Sequence, residues 1–351
     1  MFSTLLAYVS SGFGLIANIF FQDHAPKDSS EKQSLLCDLR STLLQVNEQS
    51  SHQTFTLPDD RTIGFATFGA EAGPIVFFIH GFGDSRLLGA LFHEPGNSQG
   101  LRIVAVDRPG IGLSTPQPSR KVLDHANDIC LLAAHLQAKT YSIMGVSGGG
   151  PYALACAYAL PAEQLKIVSI VCGMGPFDLT MRNSKWTAYL IFNAFKLFPF
   201  LLRWSRAGTL KQIQTETAET FIANTKSQLG AWYMRFLGPA AKDAALLQDD
   251  QFLALVYEAA KEGCAYGVEG HMVEYKTMTT SELGFKLEDI RADLPIDLWY
   301  GKEDASVSWQ VGEALTKVLG ESAKLFVRDE AHLSLAFGCR EEILRSMVDR
   351  M

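Results

Sequence analysis

Tyr141-Ser142-Ile143-Met144-Gly145-Val146-Ser147-Gly148-Gly149-Gly150 decides how the rest of the chain is to be understood. Tyr141–Met144 is a short apolar run of the kind that forms a buried strand, and a helical pattern opens at about residue 149. Between them, glycines surround one serine. Small residues at Gly145, Gly148 and Gly149 permit a tight strand-to-helix turn that lifts Ser147 above the sheet edge at a helix N-terminus. A serine hydroxyl is a poor nucleophile alone, so chemistry at Ser147 needs a base elsewhere in the chain. A Gly-x-Ser-x-Gly turn whose serine only caps the helix is the structural alternative.

Working outward, short apolar runs alternate with helical stretches. Thr62–Phe68, Ile75–Ile79, Arg102–Val106, Ile167–Val171, Ile296–Tyr300 and Lys324–Val327 are predicted strands, with helices near 121–138, 149–160, 308–319 and 338–350. Continuous apolar runs such as Ile75–Ile79 suit strands buried on both faces, and the alternation predicts an α/β fold with a mostly parallel sheet and crossover helices. The alternation breaks between Val171 and Ile296, where the pattern is helical throughout. The expected division is an N-terminal helical extension over residues 1–50, a core over 51–176 and 296–351, and a helical insertion over 177–295.

Further loops fall at predicted strand ends. His80-Gly81-Phe82-Gly83 follows Ile75–Ile79, and its backbone N–H groups could bind a developing oxyanion, with Phe82 and Gly148 supplying the two donors. Asp107-Arg108-Pro109-Gly110-Ile111-Gly112-Leu113-Ser114 follows the next strand and is expected to be structural; no Gly-Lys-Ser/Thr makes it a phosphate loop. Asp304 and His332 follow the last two strands. Open α/β sheets place their sites at such ends, so the chain order Ser147, Asp304, His332 offers nucleophile, acid and base. A helix N-cap for Asp304 and a surface loop for His332 are the structural alternatives.

Together these residues resemble the α/β-hydrolase fold family over roughly residues 54–351, with the helical insertion in the place of the family's lid. The resemblance implies that His332 acts as general base and then general acid, and that Asp304 holds the histidine tautomer. It also implies oxyanion binding by the Phe82 and Gly148 amides. Relatives that hydrolyse epoxides or haloalkanes carry aspartate at the nucleophile position; Ser147 there favours acyl chemistry. Asp178 is a fallback acid, since some relatives place it soon after the corresponding strand. The expected activity is hydrolysis of a small, largely apolar ester or thioester through an acyl-enzyme. Acyl transfer, lactone closure, carbon–carbon bond hydrolysis and a non-catalytic binding role are the alternatives.

Trp186, Tyr189, Phe192, Phe195 and Phe198 recur at near-helical spacing in the insertion. Such a stripe packs a lid core, faces a substrate pocket or touches a membrane; Trp186 and Tyr189, with His80, are the weaker substrate-contact candidates. His271 and Glu274 are i, i+3 neighbours, too few ligands for a metal site. No cofactor is implied.

The 351 residues carry a net charge of -7, with 47% hydrophobic and 20% charged side chains, so the chain is globular and nucleic acid is not an expected partner. Six widely spaced cysteines without a Cys-x-x-Cys pair, and no Asn-x-Ser/Thr sequon, suit a reducing compartment. Residues 1–22 carry no charge, and as a helix would be about 33 Å long. They would anchor to or lie on a membrane, pack on the protein or a partner subunit, or be cleaved. An intracellular, cytoplasmic or membrane-associated location is expected, with secretion disfavoured by the missing basic n-region and a peroxisomal address by Asp349 in the terminal tripeptide.

Overall fold

The computed structural model describes residues 45, 46, 48–228 and 241–351. The expectations for residues 1–22 lie outside these.

Eight strands form one sheet: β1 (Gln53–Thr56), β2 (Thr62–Gly69), β3 (Ile75–Ile79), β4 (Arg102–Val106), β5 (Tyr141–Val146), β6 (Leu165–Val171), β7 (Ile296–Gly301) and β8 (Ala323–Arg328). Their order is β1-β2-β4-β3-β5-β6-β7-β8. β1 pairs antiparallel with β2 and β2 antiparallel with β4; every other pairing is parallel. The mostly parallel α/β sheet matches the expectation. β1 was not legible in the sequence, because four residues of alternating half-buried and exposed character give too short a signal.

The period-two geometry of strands splits the apolar residues between two faces. Phe77, Val104, Ile143, Ile170 and Leu298 enter one hydrophobic cluster. Their neighbours Phe78, Ala105, Met144, Val171 and Trp299 enter the other. Helices Asp124–His135, Gly150–Ala159 and Trp309–Leu319 contribute to the first, and helices His332–Gly338 and Arg340–Val348 to the second. Among the described residues between β6 and β7, all regular structure is helical, from Phe177–Arg182 to Val268–Met278.

From β3 the sheet grows towards β4 on one side and β5 on the other. Such a reversal of strand order opens a crevice at the C-terminal strand ends, between the β3 and β5 loops. The loops around it are tied together by a buried ion pair. Arg86, after β3, and Asp107, after β4, are both fully buried, with Nη1 and Oδ2 2.7 Å apart. Asp107 also accepts from the Arg86 N–H at 2.7 Å and the Leu113 N–H at 3.0 Å. Arg86 Nε donates to Ser51 O at 2.7 Å, and Nη1 also meets the partly exposed Glu262 of the insertion at 2.8 Å.

Removing one partner of a buried pair leaves an uncompensated charge. Asp107→Asn should therefore lower unfolding free energy by about 3–5 kcal/mol in urea titrations. Glu262→Gln should cost about 1 kcal/mol or less, because the partly exposed carboxylate keeps some of its hydration and Arg86 keeps Asp107 as a partner.

Candidate active site

Ser147 sits where β5 turns into the helix Gly150–Ala159, with φ at +53°. A side chain in this left-handed region costs roughly 1–2 kcal/mol, so the surroundings must hold it. They do so by close approach. A Cβ on Gly148 would lie 2.9 Å from Phe82 N, one on Gly149 2.4 Å from Ile79 O, and one on Gly150 2.2 Å from Met174 O. The Ser147 carbonyl accepts from Met174 N–H at 3.0 Å.

The structure brings Ser147, Asp304 and His332 into one hydrogen-bonded row. His332 Nε2 lies 3.0 Å from Ser147 Oγ, and His332 Nδ1 lies 2.6 Å from Asp304 Oδ2. A carboxylate only accepts, so the proton on Nδ1 faces Asp304, and the neutral ring leaves Nε2 free to accept from the serine hydroxyl. Asp304 is buried, and its Oδ1 accepts from the Ser306 and Val307 N–H groups at 2.7 and 2.9 Å. Burial disfavours the imidazolium of His332, but the charge of Asp304, aided by Cys172, outweighs it and holds the pKa well above the ordinary imidazole value.

Two neighbours of this row had no signal in the sequence. Asp243, from the insertion, accepts from the N–H groups of His332, Leu333 and Ser334 at 3.2, 3.0 and 2.8 Å. It thereby caps the helix His332–Gly338 from 89 residues away in sequence and fixes the backbone of His332. Cys172, buried after β6 with φ at +41°, places its thiol against His332. Sγ of Cys172, a carboxylate oxygen of Asp304 and a ring nitrogen of His332 fall within 4.8 Å of one another. Burial pushes the thiol pKa up, and the other two groups are already bonded to each other, so the set suits a hydrogen-bond row better than a metal centre.

The Phe82 N–H has no acceptor among the described residues, and it lies against Gly148, whose own N–H begins a helical turn and has no intrahelical acceptor. Arg108 explains the direction of the first amide. Its guanidinium donates to the carbonyls of His80 and Gly81 and pairs with Glu274 from the insertion. In a trans peptide the N–H opposes the C=O, so turning Gly81 C=O towards Arg108 turns Phe82 N–H away from it. Arg108 and Glu274 are both fully buried. The loop expected to be structural thus orients an amide beside Ser147.

A cavity of about 90 Å³ opens at Ser147 and His332. Phe78, Leu88 and Phe337 wall it from one hydrophobic cluster, and Met174 and Met278 from the other, with Phe192 packed against the latter. Asp84 is the carboxylate on its wall. A Cβ on Gly81 would lie 2.9 Å from Asp84 Oδ2 and 3.4 Å from Ser147 Cβ, which puts this acid beside the serine. Burial, followed by the charge of Glu274, pushes its pKa up to about 7 against the opposing pull of Arg108, Arg206 and His332.

Other sequence candidates lie elsewhere. Trp186 and Tyr189 are 64% and 48% exposed and do not border the cavity; they face outward because the helix Trp186–Leu197 turns Phe192 inward instead. His80 is buried and does not border it either, with Nδ1 donating to Gly81 O at 2.8 Å. Asp178 is exposed and accepts from Ser281 Oγ at 2.7 Å, whereas the acid bonded to His332 is Asp304. Glu274, considered with His271, is committed to Arg108.

Residues 76–341 match the model of the alpha/beta hydrolase family, and the chain belongs to that family. The fold is similar to that of a hydrolase from Pseudomonas aeruginosa, with a TM-score of 0.58 and 15% identity, covering 86% of this chain and 99% of that one. It is also similar to an esterase from Exiguobacterium antarcticum (TM-score 0.56, 16% identity, 85% and 98% covered) and an enol-lactonase from Burkholderia xenovorans (0.54, 15%, 85% and 98%). Over 116 residues the chain is 30% identical to the dihydrolipoyllysine-residue acetyltransferase component of the acetoin cleaving system of Pseudomonas putida. That match spans 33% of this chain and 31% of that protein. A second, to the magnesium-chelatase 30 kDa subunit of Rhodobacter capsulatus, is 30% identical over 114 residues and spans 31% of this chain and 38% of that one. The chain spans about a third of the length of the curated relatives it matches.

A carboxyl whose pKa rises on folding favours the folded state while protonated, and loses that contribution as pH climbs from the unfolded value near 3.8 through about 7. Asp84→Asn should therefore raise the melting temperature above pH 7, with the gain shrinking towards pH 4. A scan of melting temperature against pH for both proteins checks this.

Proposed function

We propose that the chain is a serine hydrolase that cleaves a small, largely apolar ester or thioester through an acyl-enzyme. The observation that carries this reading is the row Ser147 Oγ, His332 Nε2, His332 Nδ1, Asp304 Oδ2, with spacings of 3.0 and 2.6 Å, at the mouth of an apolar cavity. Ser147 Oγ attacks the substrate carbonyl while its proton passes to His332 Nε2. Asp304 stabilises the imidazolium, and the Phe82 and Gly148 amides receive the oxyanion, each such donor being worth about 3–4 kcal/mol in comparable sites. His332 then protonates the departing alcohol or thiol. Water, deprotonated by the same nitrogen, attacks the acyl-enzyme and frees the acid and Ser147. The helical insertion serves as the lid, since Phe192 and Met278 from it complete the cavity. A cavity walled from both hydrophobic clusters supports an apolar substrate group.

Intact mass after incubation with a serine-reactive phosphonate tests the nucleophile. One adduct is expected on the wild type and none on Ser147→Ala or His332→Ala; a folded wild type without an adduct would overturn the reading.

The base must be neutral to accept the serine proton, so kcat/KM should fall as pH drops through the raised pKa of His332, a limb lying above 6.5. In Asp304→Asn the raising charge is gone. The limb should move down, and the rate on a p-nitrophenyl ester should drop about 10⁴-fold through loss of the productive tautomer.

A further inference from the structure

The helix Trp186–Leu197 is apolar on two faces, and the described residues cover one of them. Its inner face buries Ala188 and sets Phe192 and Phe195 against Tyr275, with ring centroids 6.3 and 6.1 Å away. Its outer face carries Trp186, Tyr189, Leu190 and Leu197, at i, i+3, i+4 and i+11, exposed by 64, 48, 54 and 71%. Phe198 follows, and the next helix, Pro199–Thr215, adds Phe200 and Trp204. Seven of the eleven exposed large hydrophobic side chains among the described residues thus fall within residues 186–204. An exposed apolar face of this extent, interrupted by the half-buried Asn193, marks an interaction surface.

Along the sequence, the charge of this segment is one-sided. Residues 179–215 contain no Asp or Glu, while Arg182, Lys185, Lys196, Arg203, Arg206 and Lys211 are all basic, in a chain whose net charge is -7. Arg182, Lys196, Arg203 and Lys211 are exposed; of these Arg203 pairs with Glu269, and the Lys196 ammonium lies 4.1 Å from the centre of the Phe177 ring. Aromatic side chains flanked by cations are what an interfacial helix presents to a bilayer with anionic headgroups. A second copy of the chain fits less well, because a two-fold pairing through this patch would bring its cations together with no carboxylates from the same segment to answer them.

We propose that the outward face of residues 186–204 docks on the surface of an anionic lipid bilayer. Trp186, Leu190, Phe200 and Trp204 enter the headgroup boundary while Arg182, Lys196 and Lys211 meet the phosphates. Phe192 borders the cavity from the inner side of the same helix, so docking sets the cavity about one helix diameter, roughly 10 Å, from the lipid. This goes beyond the proposed chemistry and does not depend on it.

The test is cosedimentation of the full chain with vesicles of phosphatidylcholine alone and of phosphatidylcholine mixed with phosphatidylserine. The wild type should sediment with the mixed vesicles, more weakly with phosphatidylcholine, and less as salt screens the cations. Trp186→Gln/Leu190→Gln/Phe200→Gln/Trp204→Gln should keep the melting temperature and lose at least about tenfold in partitioning. A conservative pair, Trp186→Phe/Trp204→Phe, should still bind but lose the quenching of tryptophan emission by brominated acyl chains. Three results would overturn the proposal. One is a wild type that stays in the supernatant. Another is unchanged partitioning of the fourfold variant or unchanged quenching of the conservative pair, which would place binding elsewhere, residues 1–22 included. The third is a dimer that the fourfold variant abolishes while vesicles bind neither protein.

Discussion

The site depends on one steric constraint: directly after Ser147, where β5 becomes a helix, there is no room for a Cβ at Gly148, Gly149 or Gly150. The backbone of the β3 loop and of Met174 approaches Gly148, Gly149 and Gly150 to within 2.2–2.9 Å of where a Cβ would stand. Glycine at these positions is what lets three chain segments converge, and their convergence holds Ser147 at a φ it would not adopt alone. The same approach sets Phe82 N beside Gly148. The positions of Ser147 and of the Phe82 amide are therefore one packing solution.

The second layer is electrostatic. Two arginines stand directly behind the strand ends, Arg86 against Asp107 and Arg108 against Glu274, with all four side chains fully buried. Buried pairs of this kind are weak sources of net stability but strong sources of geometry, because either partner left alone is costly. Each arginine also reaches the insertion, Arg86 through Glu262 and Arg108 through Glu274. Asp243 adds a third bond between the insertion and the site by capping the helix that begins with His332. The helices between β6 and β7 are thus bound to the amide donor, the loop scaffold and the imidazole, and their placement and the site's geometry are linked.

That coupling explains what was legible in the chain and what was not. The inner strands were legible because burial on both faces leaves continuous apolar runs, and Ser147 and Asp304 each follow such a run; His332 follows the half-buried edge strand β8, legible from its short apolar run Leu325–Val327. Asp243 and Glu274 were not, since a carboxylate in a helical segment carries no mark of a partner 89 or 166 residues distant. The aromatic stripe was legible only in part, for a related reason. Spacing shows that Trp186, Tyr189, Phe192 and Phe195 share a helix, but only packing against Tyr275 shows which of them turn inward.

From the sequence alone came the alternation of strands and helices, the interruption by a helical insertion, and the three side chains at successive strand ends, because periodicity and glycine-rich turns are local properties. Tertiary structure decided the distances of 3.0 and 2.6 Å within the row, the direction of the Phe82 amide, the raised pKa of Asp84 and the outward face of residues 186–204. Each of these depends on atoms brought together from distant parts of the chain, and hydrogen-bond geometry, desolvation and exposure exist only once that packing is made.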